Sequence, residues 1–418
     1  MLYMQENSRY AVGIDIGTTT IRCVVGHVDS TTGTPTVVGV GQAQNSGMRK
    51  GTVVNLSGPA HAIDEALGEA ERMSGYEVND ATISINGSHI VSTKADGMIA
   101  VGMADHEVNE DDLARIEEVA TTGKVPANRE ILEVVPFSYV LDGQGGIKDP
   151  LGMSGTRLEI SANVVSAMGP YVVNLQKATE MATVAANAII PSVMAASKAV
   201  LSESQIESGV AVVDMGATTT GVAVFEEGDL QYVGVVPVGG ANITNDLAIG
   251  LKTDPAIAEK VKIAHATALS RKDNEGISVK HDKEVLTFDS SDIDEIVEAR
   301  LEEIFEAVQH ELKKAGRAGQ LPSGVVLTGG TANIKGIADY AKNRLGLAVR
   351  IGKPGGFGGV ADHIEEPQFA TAVGLMLVDA QATSRELHQK GKASHKSGKS
   401  MAKSASGILS GILGRFKV

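Results

Sequence analysis

The chain has 418 residues, 43% of them hydrophobic and 21% charged, with a net charge of −14. That length exceeds one ordinary domain and suffices for at least two cores. An aromatic share of 3% with no Trp leaves too few rings to stack on single-stranded bases, and the acidic excess repels a phosphate backbone, so no nucleic-acid partner is expected.

The opening "MLYMQENSRY" lacks an apolar signal core, and no run of roughly 18 apolar residues follows anywhere, so neither secretion nor a membrane-spanning helix is expected. From Gly13, "GIDIGTTTIRCVVG" reads as a strand, a tight Gly/Thr turn and a second strand. Cys23, the only cysteine, excludes an intrachain disulfide and a thiolate metal cage and reads as a small buried hydrophobe. "TPTVVGVGQA" is a strand. "PAHAIDEALGEAERMSG" places Ile63, Leu67 and Ala70 on one face of an amphipathic helix. "DATISINGS" is a strand ending in a turn, and "LEISANVVSAM" is one long strand or a strand pair. The length and 3–4 spacing of "PYVVNLQKATEMATVAANAII" predict a single helix.

"GVAVVDMG" and "TGVAVFEEGDLQYVGVVPVGG" read as three strands, with a hairpin turn over Glu226 to Asp229. "DPAIAEKVKIAHA" is a helix and "HDKEVLTFDSSD" a polar surface hairpin. "SDIDEIVEARLEEIFEAVQHELKKAG" is a long helix capped by Ser291 and stopped at Gly316. "SGVVLTGGTANIKGIADYAKNRLG" reads as strand, glycine turn, helix. The alternation predicts α/β architecture with helices covering sheets. After Ala380 the composition turns to Ser, Lys, Gly, Ala and His. From Gln381 onward eight Lys or Arg face one acidic residue, so the basic charge collects in a segment that reads as a flexible linker.

The opening hairpin occurs twice. "VDMGATTTGVAVF" from Val213 repeats the Asp, the Gly two residues on, and the Thr-rich turn, which predicts two duplicated α/β units. Such turns point N–H groups and Thr hydroxyls at an anion, and the Asp suits a hydrated Mg²⁺ bridging phosphates. Two of them can grip one polyphosphate from both sides. Gly329 and Gly330 let backbone approach a base or phosphate closely. Glu259 and Lys262, three residues apart on a helix, read either as an exposed ion pair or as a ribose contact.

With these motifs the chain resembles the actin-like ATPase superfamily and, within it, the FtsA family of bacterial cell-division proteins. "GVGQAQNSGMRKGTVVNL", "DGQGGIKDPLGMSGTRLEI", "VPVGGANITNDLA", "AEKVKIAHA" and "VLTGGTANIKG" follow that family's pattern in its order. The resemblance implies an actin-like two-lobed fold with duplicated α/β units. Lobe 1 would be 8–84 and 165–207, interrupted by an FtsA-type small subdomain at 85–164. Lobe 2 would be 208–239 and 323–380, with an insert at 240–322. A flexible linker at 381–405 would carry an amphipathic helix at 406–418.

It further implies ATP with Mg²⁺ as cofactors. Asp15, Gly17, Thr18 and Thr19 match the first phosphate turn and Asp214, Gly216, Thr218 and Thr219 the second, with Mg²⁺ held through water by Asp15 and Asp214. Gly239 and Gly240, followed by Asn242, match the turn beside the γ-phosphate. Glu259 and Lys262 match the ribose pair, and Gly329, Gly330 and Asn333 the adenosine turn. Ile190 stands where chaperone relatives carry a water-positioning Glu, which favours a nucleotide switch with at most weak ATPase activity. Asn55 and Ser57 replace acidic residues common in relatives.

In "GILSGILGRFKV", Ile408, Leu409, Ile412, Leu413 and Phe416 fall within about 140° of a helical wheel, flanked by Arg415 and Lys417. This reads as an interfacial helix whose cations reach lipid phosphates. The resemblance implies that the protein polymerises at the division septum and tethers the C-terminal peptide of FtsZ to the cytoplasmic membrane, alongside other division proteins. Arg300 and Glu303 are candidates for part of the FtsZ dock or for an ordinary solvated face. Pilus-assembly or shape-determining actin-like ATPases, and sugar or small-acid kinases, are alternatives on fold alone.

Overall fold

The computed structural model describes residues 9–29, 32–102, 106–281, 284–359 and 364–393. Lobe 1 opens with the antiparallel meander β1 (Arg9–Ile16), β2 (Thr20–Val28) and β3 (Pro35–Gln44). A small hairpin, β4 (Met48–Arg49) and β5 (Thr52–Val53), leads into α1 (Ser57–Ser74). Its Ile63, Ala66, Leu67 and Ala70 are buried, as their spacing demands. Left-handed Gly75, φ 67°, closes the helix. β6 (Asp80–Ile85) then lies parallel to β1.

The chain next leaves the lobe for a separate body made of β7 (Val91–Ala100), α2 (Glu110–Thr121), β8 (Arg129–Leu141), β9 (Gln144–Ile147) and β10 (Arg157–Met168). Its sheet runs β7-β10-β8-β9 and packs α2 through a core of its own that includes Ile116, Tyr139, Leu158 and Ile160. "LEISANVVSAM" is thus one strand, which reaches past the expected subdomain boundary at 164.

The return to lobe 1 corrects one expectation. The single helix expected through Ile190 ends at Met181, as α3 (Gly169–Met181), and the chain turns at Thr183, φ 61°. The alanine-rich remainder forms β11 (Ala185–Pro191), parallel to β6, with Ile190 buried. Alanine favours a helix locally, but ladder pairing with β6 and burial of the isoleucine override so weak a preference. Two short helices, α4 (Ser192–Val200) and α5 (Glu203–Ser208), lead out of the lobe.

Lobe 2 repeats the plan with β12 (Val210–Met215), β13 (Thr220–Glu226) and β14 (Asp229–Val236), the last two joined by a turn with Glu227 and Gly228 both at positive φ. There follow α6 (Gly240–Gly250), α7 (Pro255–His265), the hairpin β15 (Gly276–His281) and β16 (Glu284–Asp289), and α8 (Ser290–Lys314). The cap of α8 is Asp289, which accepts the Ser291 N–H at 2.9 Å, two residues before the expected Ser291. β17 (Val325–Thr328), α9 (Ile337–Leu345) and β18 (Val349–Ile351) complete the lobe.

The two main sheets share one strand order. β11-β6-β1-β2-β3 matches β18-β17-β12-β13-β14, with antiparallel and parallel pairings at the same places. α4 and α10 (Ala370–Ala393) cross between the lobes. The crossing is so close that a Cβ on Gly374 of α10 would lie 1.8 Å from the Ala195 carbonyl oxygen of α4. α10 also continues past 381, where a flexible linker was expected. Arg385, Glu386, Leu387, Gln389 and Lys390 are all good helix formers, so the backbone has reason to continue. The amphipathic segment at 406–418, with Ile408, Leu409, Ile412, Leu413, Arg415, Phe416 and Lys417, lies outside the described residues.

Candidate functional site

The duplicated hairpins face each other. β1 delivers Asp15 opposite Arg22 of β2, and β12 delivers Asp214 opposite Gly221 of β13. Between the lobes lies a cleft of about 1300 Å³, lined among others by Asp15, Gly17, Thr18, Thr19, Asp214, Gly216, Thr219, Gly240, Glu259, Lys262, Gly329, Gly330 and Asn333. Thr218, Gly239 and Asn242 act from behind that lining. The Thr218 hydroxyl donates to Thr18 Oγ1 at 2.8 Å, tying the two turns together across the cleft. Asn242 Oδ1 accepts the Gly239 N–H at 3.0 Å and so caps α6.

Thr18 Oγ1 also accepts the Gly51 N–H at 3.1 Å. Both its acceptor sites are then filled, which leaves its single hydrogen as a donor.

The floor of the cleft is a charge cluster. Burial, with Asp15 nearby, pushes the Asp214 carboxyl up to about 7. Burial also raises Asp15, opposed by Arg22 and by the Ser84 hydroxyl, which donates to Asp15 Oδ1 at 2.9 Å. Burial in turn lowers Arg22, whose Nε has no hydrogen-bond partner. Asp15 raises Asp214, and a divalent cation beside the pair would relieve that repulsion. Among the described residues no group of three or more His, Cys, Asp or Glu could hold a metal ion. A divalent cation beside these two carboxylates would have to complete its shell with water and with oxygens of a bound ligand.

Close approach explains the glycines. Gly329 sits at φ 84°, and a Cβ there would come within 2.6 Å of Asp214 Oδ1. A Cβ on Gly240 would meet Thr331 Oγ1 at 2.4 Å. Glu259 and Lys262 form an ion pair at 2.7 Å, but not on a free surface. Lys262 Nζ also donates to Thr244 Oγ1 at 2.8 Å and to the Gly240 carbonyl at 3.2 Å, and the Thr244 hydroxyl donates to Glu259. The pair is thereby fixed against α6 on the cleft wall.

Other expected residues lie elsewhere. Arg300 of α8 forks onto Asp246 of α6 at 2.6 and 3.0 Å and pairs with Glu303 at 2.5 Å, away from the cleft lining. Ile190 is enclosed in the lobe 1 core. Asn55 Oδ1 accepts the Ser57 N–H at 2.9 Å at the start of α1. Cys23 is fully buried, its thiol pushed up to about 12 by burial. Sequence reasoning missed Arg22, Ser84, Thr331 and Thr371 as lining or supporting groups. Arg22 alone carried a signal, as a charged residue within an otherwise apolar strand beside the turn.

Two copies of one five-stranded sheet, closed around a cleft and joined by crossing helices, define an actin-like two-lobed α/β protein. Solved structures share this fold. The PilM–PilN type IV pilus biogenesis complex aligns at TM-score 0.64 with 17% identity, covering 88% of this chain and 98% of that one. MreB5 of Spiroplasma citri bound to ADP aligns at TM-score 0.52 with 13% identity, over 93% and 99%.

Residues 211–374 match the model of the family described as cell division protein FtsA, and residues 87–166 that of the SHS2 domain inserted in FtsA. Cell division protein FtsA of Pseudomonas aeruginosa is 35% identical over 383 residues, 91% of each chain. That of Bacillus subtilis is 34% identical over 377 residues, 89% of this chain and 84% of the relative. The chain belongs to the FtsA family: it is an actin-like protein of bacterial cell division.

Proposed function

We propose that the cleft binds MgATP and that the protein polymerises and tethers FtsZ to the cytoplasmic membrane at the division site. The observation that carries the nucleotide reading is the Thr18–Thr218 bond, which joins two matching anion-type turns above two buried carboxylates. In this reading Asp15 and Asp214 hold Mg²⁺ through water, and the Gly17–Thr19 and Gly216–Thr219 turns grip the phosphates. Gly239, Gly240 and Asn242 shape the γ-phosphate side. Glu259 and Lys262 hold the ribose, and Gly329, Gly330 and Asn333 make room for adenosine. When bound, Mg²⁺ neutralises phosphate charge. The chain's own groups bind and orient. With Ile190 enclosed in the core, no carboxylate stands at that position to orient an attacking water, so hydrolysis is slow.

Membrane attachment rests on the apolar arc of Ile408, Leu409, Ile412, Leu413 and Phe416 flanked by Arg415 and Lys417. A short helix binds reversibly, and polymerisation adds avidity of about 10²–10⁴-fold. The FtsZ peptide is assigned to lobe 2 beside α8, where Glu303 is exposed and Arg300 is already paired.

Calorimetric titration with ATP, with and without Mg²⁺, tests the cleft, and Mg²⁺-dependent binding is expected. Co-sedimentation with anionic liposomes then compares the full chain with one ending at Ala405, each with an FtsZ C-terminal peptide. Only the full chain should pellet and carry the peptide down. If both chains stay soluble and ignore the peptide, the tether reading fails.

A further inference from the structure

The duplication makes a test of detail possible, because each turn can be checked against its twin. In lobe 2 the carbonyl oxygen of Gly216, two residues after Asp214, is pinned by two neighbours. It accepts the Gly240 N–H at 3.0 Å and the Thr331 hydroxyl at 2.9 Å. Gly17, two residues after Asp15, is its twin, and among the described residues no backbone N–H performs that task for its carbonyl. The side chain of Asn45 does. Asn45 Nδ2 donates to the Gly17 carbonyl at 2.6 Å, while the Asn45 backbone N–H donates to the Thr19 carbonyl at 2.9 Å. Asn45 leaves the end of β3 and does not itself line the cleft.

A trans peptide places its C=O and its following N–H on opposite sides. A Gly17 carbonyl held toward Asn45 therefore turns the Thr18 N–H the other way, toward the cleft that Thr18 lines. In lobe 2 the Gly216 carbonyl is likewise held, by Gly240 and Thr331, in the turn whose Ala217 lines the cleft. We infer that Asn45 is a positioning residue of the phosphate site: it holds the first turn in its anion-binding form by gripping the Gly17 carbonyl, without touching the nucleotide. Lobe 1 uses a side-chain amide where lobe 2 uses backbone and a hydroxyl. The inference rests on the nucleotide reading above and names a residue that reading does not include.

The test compares the full chain with its Asn45→Ala variant for MgATP, by calorimetry, and for adenosine, by displacement of a fluorescent adenine nucleotide. The variant keeps the backbone bond to Thr19 and loses the grip on Gly17 together with the Nδ2 contact to Met48 Sδ at 3.1 Å. MgATP affinity should fall about tenfold, the cost of one lost hydrogen bond to a turn that must then be ordered by the ligand. Adenosine has no phosphate to present to the turn, so its affinity should stay within about twofold. Asn45→Ser, too short to reach Gly17 yet still a turn former, should give the same pattern and stands in if the alanine variant fails to fold. MgATP affinity unchanged in both variants, or equal losses for MgATP and adenosine, overturns the inference. A parent chain that does not bind MgATP overturns the nucleotide reading and this inference with it.

Discussion

The two lobes carry the same five strands in the same order, yet they place different residues opposite their matching aspartates. Asp15 faces Arg22 and Asp214 faces Gly221, at the same register of the same hairpin. The reason for the glycine is steric, since a Cβ on Gly221 would stand 2.8 Å from Cβ of Val193 in α4, which packs there on its way between lobes. Lobe 1 has room for a guanidinium and lobe 2 does not. The result is electrostatic: Arg22 opposes the rise of both carboxyls, but Asp214 has no cation on its own hairpin and is pushed up to about 7. Duplication supplied two equal turns, and the asymmetric crossing of α4 made them chemically unequal.

The largest expected effect comes from breaking the crossing that holds the lobes together. Gly374→Ala puts a methyl group against backbone at 1.8 Å, and unfolding by urea should show a loss of about 3 kcal/mol. Next comes Asp214→Asn, which should weaken MgATP binding roughly 100-fold in calorimetry. The same change should stabilise the nucleotide-free protein above pH 7. The folded carboxyl titrates near 7 against 3.8 ordinarily, so its ionisation costs stability that is absent below pH 3.8 and accrues as pH rises toward 7. Its removal should return on the order of 3 kcal/mol at pH 8 in a chemical melt.

That raised value also sets a pH profile. Cation uptake requires the ionised carboxylate, so Mg²⁺-dependent affinity should fall about tenfold per pH unit below about 7 and level off above it. A flat profile from pH 6 to 8 would mean that Asp214 is not linked to the cation. Arg22→Met makes the two hairpins alike in charge. It removes the positive charge that favours ionisation of both carboxyls, so the midpoint of that profile should move upward, with a severalfold loss of affinity at pH 7. The smallest effect belongs to α8, which leads into β17 as α1 leads into β6 in lobe 1. Glu303→Ala removes an exposed partner of Arg300 and should change stability by less than about 0.5 kcal/mol, while any loss of FtsZ-peptide binding would mark the dock.

Much of the fold was legible because period and punctuation are local. The apolar spacing of Ile63, Leu67 and Ala70 and the Glu227–Gly228 turn each lie within a few residues and came out as expected. The helix expected through Ile190 failed for the opposite reason. Its second half is decided by pairing with β6, about a hundred residues earlier in the chain. The site divides the same way. The two turns, Gly329 and the Glu259–Lys262 pair were visible as motifs. Ser84, Thr331 and Asn45 were not, because a hydroxyl or amide that braces a turn from another element leaves no pattern in its own neighbourhood.

The sequence by itself determined most of the elements, the two matching turns and the residue types that meet an anion, since these are written in short-range spacing. Only the tertiary structure decided that the carboxyls of Asp15 and Asp214 are both raised, which side chain holds the Gly17 carbonyl, and that Thr18 and Thr218 share a hydrogen bond across 200 residues of chain. Those outcomes depend on burial and on contacts between distant segments, and both exist only once the two lobes have packed around α4 and α10.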